Sequence, residues 1–321
     1  MNDQRDEEFL ADFNRDALPD LPENPNLSDP VCGFFPDMTA EEYHGDPVEE
    51  GSLSNSGIKI LLAETPLDFA FQHPRINPAA KKKALETVAG LRGDLVHQLA
   101  LGKGRGYAVI DAADWRTKAA QEFRAAALEA GETPVLKKAF EAAQVMAEVV
   151  VERIKRALDG ADYLTEVAIV WREETPVGPI YLRGRLDVWC PERLIILDPK
   201  ITAVIGDGGP GREQVQRHAV SMGWDRQAAL YERGVSRLMP EAEMRVRFGN
   251  LLVKPDEPFT SRLLWPSTTM KRSALHQCLP ALETFARCMA AGRWPGYPDE
   301  GETLELPSYE ERRRLAEELG E

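Results

Sequence analysis

The residues best equipped for chemistry lie between Tyr163 and Thr202, in YLTEVAIVWREETPVGPIYLRGRLDVWCPERLIILDPKIT. Three apolar runs, Val167–Trp171, Ile180–Trp189 and Leu194–Leu197, are short, rich in β-branched and aromatic residues and bounded by turn chemistry, which predicts strands. Strict alternation along the second run puts Ile180, Leu182, Leu186 and Val188 on one face with Gly184. Tyr181, Arg183, Arg185, Asp187 and Trp189 then share the other. The short link Cys190-Pro191-Glu192-Arg193 predicts a hairpin. If Cys190 opposes Arg193, Asp187 sits opposite Ile196 and diagonal to Asp198, with backbones about 7–8 Å apart. Lys200 shares that face, and Glu166 enters from the preceding strand. Carboxylates at that range can share a hard divalent cation. With a lysine beside them they suit metal-assisted phosphodiester hydrolysis: the cation polarises phosphate and acidifies water, and the lysine orients the nucleophile or offsets charge. The bland alternative is a hairpin with solvated charges. Convergence of the charges on one face behind a buried run favours the functional reading.

These strands need elements to hold them. The chain has 321 residues, long enough for one large domain or two smaller ones, with 43% hydrophobic and 29% charged residues, as in soluble globular proteins. No apolar stretch is long enough to span a bilayer, so no membrane is expected. The acidic start MNDQRDEEFLADF lacks a signal-peptide pattern. Cys32, Cys190, Cys278 and Cys288 form no CxxC and are expected to be reduced thiols in a cytoplasmic protein. A net charge of −14 argues against broad non-specific nucleic-acid binding but leaves room for a local basic groove.

Residues 1–50 are rich in Asp, Glu, Pro and Asn and are expected to form a partly disordered acidic arm with Phe34, Phe35 and Tyr43 docked. Ser54 or Ser56 starts a helix and Pro66 a second one that ends near His73. Lys81-Lys82-Lys83 reads as a solvated loop, with phosphate contact as the sharper alternative. Gly90–Leu101 reads as a helix with Leu91, Leu95 and Leu99 on its apolar side and His97 on a flank. Residues 112–158 read as two helices divided at Gly131–Pro134. The glycine-rich stretch after Lys200 is a linker and not a Walker loop, since no Gly-Lys-Ser/Thr follows. A helix over 214–238 places Gln227 and Tyr231 one turn apart, and MRVRFGNLLVKPD and SRLLWPS read as strands. Ser273–Ala290 is a helix, and the tail carries an aromatic–proline plug and a short charged helix.

Taken in order, Leu53-Ser54-x-Ser56, Gly93-Asp94-Leu95-Val96-His97, Glu166, Gly184-Arg185-Leu186-Asp187, Asp198-x-Lys200, Trp224-Asp225-Arg226-Gln227-Ala228-Ala229-x-Tyr231 and Trp294-Pro295-Gly296-Tyr297 resemble the PD-(D/E)xK nucleases. The closer resemblance is to the exonuclease VIII (RecE)-like domain of phage and prophage recombination modules. It covers roughly residues 50–310 and implies a nuclease domain over 51–310, with a charged tail over 311–321. The implied fold is α/β (α+β), a restriction-endonuclease-like core with a mixed central sheet flanked by helices. The implied activity is Mg2+-dependent DNA exonuclease action, with Mn2+ as a substitute. By the same resemblance His97, Glu166, Asp187 and Asp198 match metal ligands, Lys200 the catalytic lysine, and Gln227 and Tyr231 the helix motif beside the site. Duplex DNA with a free end is the implied partner. Relatives hand their product to a single-strand annealing recombinase, and some form homo-oligomeric rings. Lys81, Lys82, Lys83, Arg183, Arg185 and Arg217 are expected to line the DNA path. Two positions depart from the pattern. Pro199 stands between acid and lysine and requires a strand edge or bulge, and Ile201 replaces a small polar residue. The cysteines do not supply the iron–sulfur cluster of some relatives, so none is expected. The rival readings are a non-enzymatic DNA-binding module and an interaction protein of a phage replication system.

Overall fold

The period-two pattern of residues 164–201 folds into three adjacent strands, and the rest of the sheet grows outward from them. A computed structural model describes residues 25–80, 88–104, 106–206, 210–301 and 303–319. The central strands are β5 (Leu164–Glu173), β6 (Ile180–Cys190) and β7 (Ile195–Ile201). β5 and β7 both run antiparallel to β6. β8 (Arg247–Val253) pairs parallel with β7, and β9 (Ser261–Leu264) runs antiparallel to β8. Two N-terminal strands complete the sheet. β1 (Gly33–Phe35) pairs antiparallel with β5, and β2 (Ser52–Ser54) parallel with β6. The result is a seven-stranded mixed sheet.

Helices cover both faces, which are separated by alternation along the inner strands. Ile196 and Phe248 pack with Trp171, Leu182 and Leu186 in a cluster that includes residues of α9 (Trp224–Leu238) and α10 (Thr268–Ala291). Leu197 and Leu251 join Met146, Val150 and Ile154 of α7 (Lys137–Ala157) and Leu95 and Val96 of α5 (Val88–Leu101). Each fully buried side chain of this size contributes about 1.5–3 kcal/mol. Around these lie α1 (Pro25–Ser28), α2 (Ala40–His44), α3 (Asn55–Ala63), α4 (Pro66–Gln72), α6 (Lys118–Glu129), α8 (Pro210–Met222) and α11 (Ser308–Leu319). Of the two caps expected for the first helix, Ser54 forms it, accepting from Gly57 N–H; the helix opened by Pro66 is capped by Thr65, which closes a capping box with Asp68.

Several expectations need correction. Residues 25–50 are not a separate arm over their described part, because β1 completes an edge of the sheet and α2 docks on it; residues 1–24 lie outside the described residues. A small parallel sheet joins β3 (Tyr107–Ile110) to β4 (Thr133–Leu136), so the break between the two predicted helices contains a strand. Gly223 adopts a left-handed φ of 74° and divides the single helix expected over 214–238 into α8 and α9. Among the described residues no helix is long and apolar enough to cross a membrane.

Candidate active site

β6 changes neighbours at the site. Along one edge it pairs with β2 at Tyr181–Arg183 and with β7 only from Val188 to Cys190. β6 and β7 therefore part beyond Val188, and Asp187 and Asp198 stand at the fork. The observed register pairs Cys190 with Ile195 and Val188 with Leu197, two residues away from the predicted hairpin. The loop is longer because Leu194 takes a left-handed φ of 53°. A slip of two preserves the face of every residue, and continuing the register sets Asp187 across from Asp198. On the other side, Thr165–Val188 and Val167–Leu186 bracket Glu166 and Asp187 in one register. Three carboxylates thus occupy one row across β5, β6 and β7.

The row is also a kink. Glu166 has φ 56°, rare for a residue with a side chain. The predicted alternation breaks there: Leu186 packs with the α9 side, Val188 with the α5 side and Trp189 with the α9 side. Val188 and Trp189 have exchanged the faces expected of them.

His97 comes from α5, whose Leu95 and Val96 bury against the sheet and turn the imidazole toward the row. Its Nδ1 is 3.2 Å from Glu166 Oε1 and its Nε2 3.1 Å from Asp187 Oδ2. Arg185 Nε lies 2.5 Å from Glu166 Oε2. Lys200 Nζ lies 2.7 Å from Asp198 Oδ2 and donates to Gln227 Oε1 at 3.2 Å, while Gln227 Nε2 donates to Asp198 Oδ1 at 3.3 Å. Tyr231, one turn on, lays its ring on Gly184, where an added Cβ would sit 2.7 Å from it. The helix motif and the Asp-x-Lys strand therefore meet. Pro199 sits where β7 has lost β6 and pairs with β8 alone, so the ladder with β6 does not call on its missing N–H.

The electrostatics follow from crowding charge in a dry place. Burial works to lower the His97 pKa but is outweighed by Asp187, Glu166 and Asp198, which push it up to about 9. Burial raises the Asp198 carboxyl, and the neighbouring Asp187 adds to the rise against the pull of Lys200. Asp187 moves the other way: burial is overcome by the His97 imidazolium and by a hydrogen bond from Asp198. The two aspartates titrate as a coupled pair, with Asp198 pushed up and Asp187 pushed down. Burial raises Glu166 as well, opposed by His97 and Arg185.

Ligand atoms of His97, Glu166 and Asp187 all lie within 4.8 Å of one another. Glu166 Oε1 and Asp198 Oδ2 are buried without an aligned hydrogen bond, although a cation stands near each. Those lone pairs are free for a metal, and the donor set of carboxylates with one imidazole fits Mg2+ or Mn2+. The tightest group is the His97–Glu166–Asp187 trio, so the centre of the constellation lies nearer β5 than the expected Asp187–Asp198 midpoint.

The basic lining is distributed differently from expectation. Arg185 does point at the row and is paired there. Arg183 is 7% exposed, and its Nη1 donates to Asp46 Oδ2 at 2.6 Å and to Ser52 O and Oγ at 2.7 Å each, so it is a structural clamp. Arg217 is exposed on α8, 3.4 Å from Glu213. Lys81, Lys82 and Lys83 lie outside the described residues. Three further residues were not singled out as site residues in the sequence. Lys103 Nζ donates to Pro36 O at 2.6 Å and Thr165 O at 3.2 Å, beside Glu166. Asn250 is 3% exposed and is the register partner of Asp198 on β8; a lone Asn in the run FGNLLV was the available signal. Tyr43, noted only as a docked aromatic, packs on Arg185.

A family described as a PDDEXK-like domain of unknown function (DUF3799) matches residues 79–307. The chain belongs to this family. The mixed sheet with helices on both faces is the fold expected of a PDDEXK-like domain. Among solved structures, a candidate exonuclease from Eubacterium rectale aligns with 84% of this chain and 96% of its own at 17% identity and a TM-score of 0.51, a likeness of fold. The crystal structure of SSO0001 aligns at 12% identity over 66% of this chain and 84% of its own, with a TM-score of 0.26, and carries no argument. No curated protein matches the chain.

Proposed function

We propose that this PDDEXK-like chain is a metal-dependent deoxyribonuclease that resects duplex DNA from an end, using Mg2+ with Mn2+ as a substitute. The observation that carries the reading is the row Glu166–Asp187–Asp198 across three strands, closed by His97 on one side and Lys200 on the other, within a family of this type. His97, Glu166, Asp187 and Asp198 would hold the ion. That ion would supply polarisation of the phosphate and a lowered pKa for water at the site. Lys200, with Gln227 fixing its Nζ against Asp198, is placed to orient the attacking water and stabilise charge on the phosphate. Tyr231, flat on Gly184, holds α9 and thereby Gln227 at that distance. Digestion from an end, rather than within the duplex, draws on the RecE-like motif order and on the description of the Eubacterium rectale neighbour. A place in phage-type recombination, upstream of a strand-annealing protein and in a ring-forming assembly, follows from the same motif order.

The test is digestion of end-labelled linear duplex beside a covalently closed circle. Loss of the linear substrate alone, abolished by EDTA and by Asp198→Asn, is expected. Asp198→Asn should also weaken Mn2+ binding in calorimetry. Intact Mn2+ and DNA binding without cleavage would turn the reading into that of a binding module.

A further inference from the structure

The matched family segment begins at residue 79, yet the acid centre leans on a residue 36 positions before it. Tyr43 is 8% exposed and sits in α2, a five-residue helix fixed at its start by a Thr39–Glu42 capping box. The guanidinium carbon of Arg185 stands 5.8 Å from its ring centroid and that of Arg183 5.7 Å. Tyr43 therefore touches the arm of the site that runs from Arg185 to Glu166 and His97.

The ring is itself held firmly. Just beyond α2, Asp46 accepts from Ser52 N–H at 2.7 Å and from Arg183 at 2.6 Å, and His73 Nε2 lies 3.1 Å from it. This cluster ties residues 46–52 to β6. Lys103 ties Pro36 to Thr165 on the other flank. Arg185 gains a π face on a rigid support, which fixes the guanidinium without adding a second negative charge to the row.

We propose that Tyr43 is a positioning residue for the acid centre, holding Arg185 against Glu166. The proposal rests on the nuclease reading above. Removing the ring frees Arg185 to leave Glu166, and the row loses its registration by tenths of an ångström or more. Misplacement on that scale acts on kcat rather than on capture of DNA.

The experiment compares Tyr43→Leu, Tyr43→Met and Tyr43→Phe with wild type, for cleavage kinetics per Mn2+-binding site and for Mn2+ affinity by calorimetry. The two aliphatic variants are made so that one can replace the other if it fails to fold, as judged by circular dichroism and a cooperative melt. A folded Leu or Met variant should lose at least about tenfold in kcat with KM within about threefold of wild type, and Tyr43→Phe, which keeps the π face, should recover most of it. A folded aliphatic variant with wild-type kcat, or one altered in KM alone, overturns the proposal. A wild type that neither binds Mn2+ nor cleaves overturns the nuclease reading, and this proposal with it; an active wild type with an indifferent position 43 overturns the proposal alone.

Discussion

Replacing Arg183 by Met separates a structural arginine from a DNA-binding one. The side chain is 7% exposed, and Nη1 has three acceptors within 2.7 Å: Asp46 Oδ2 and both oxygens of Ser52. Removing one member of a buried pair strands the other, which costs about 3–5 kcal/mol. Asp46 would keep Ser52 N–H at 2.7 Å, Ser52 Oγ at 2.8 Å and Val48 N–H at 3.1 Å, so the lower end of that range applies. A loss of about 3 kcal/mol corresponds to roughly 6 °C of melting temperature at about 2 °C per kcal/mol for a large domain. Urea denaturation followed by circular dichroism gives the free energy. Asp46→Asn combined with Arg183→Met should cost less than the two single changes added together, by about 0.5–3 kcal/mol of coupling. The sign with pH follows from Asp46. Burial pushes its carboxyl up, but His73, Arg183 and Ser52 together bring it below the ordinary 3.8. Its contribution is thus present above about pH 4 and fades as the pH falls, and the gap between wild type and Arg183→Met should narrow in acid. Duplex affinity in Ca2+ should keep its salt slope in the variant. A destabilisation below about 1 kcal/mol together with a salt slope flattened by about one unit would refute the clamp and make Arg183 a phosphate contact.

Lys200→Ala should leave the fold and Mn2+ binding intact while lowering single-turnover cleavage by about 10²-fold; near-normal cleavage would remove the lysine from the mechanism. His97 titrates near 9 in the metal-free protein against an ordinary 6.5, so its ion pairs stabilise the fold below about pH 6.5 and are lost as the pH rises through 9. Mn2+ affinity should run the opposite way, rising between those values with release of about one to two protons, and a calorimetric affinity that ignores pH would contradict this. Gly184→Ala puts a methyl 2.7 Å from the Tyr231 ring and should cost about 1–3 kcal/mol in a thermal melt, with activity falling too.

The carboxylate row was legible because strand alternation and an Asp-x-Lys strand end are local signals. Its register was not, since the left-handed φ of Leu194 leaves no trace in residue type. The face assignment of Asp198 and Lys200 relative to Asp187 survived because the slip was even. The exchange of Val188 and Trp189 was hidden for a similar reason: it accompanies the kink at Glu166 on the paired strand, which alternation cannot foresee. Arg183 was misread because its partner, Asp46, is 137 residues away in sequence, inside a segment whose composition resembles a loose arm. The same distance hid the docking of β1 and β2, whose partners are long-range and whose strands have only three residues each.

The charges of the site explain why so many ionisable groups can share it. The carboxylates Glu166, Asp187 and Asp198 are interleaved with His97, Arg185 and Lys200, and Lys103 stands beside Glu166. On the proposed reading, a divalent cation would take the place of the proton on His97, so the net charge of the site would change by less than the charge of the ion. A dry pocket resists any change of net charge far more than it resists an exchange at constant charge. The imidazolium between Glu166 and Asp187 thus stands in for the ion, keeping two carboxylates close without it. On a chain of net charge −14, attraction for DNA must be local, and Arg185 and Lys200 are the cations that the structure sets against the carboxylates at this fork between β6 and β7.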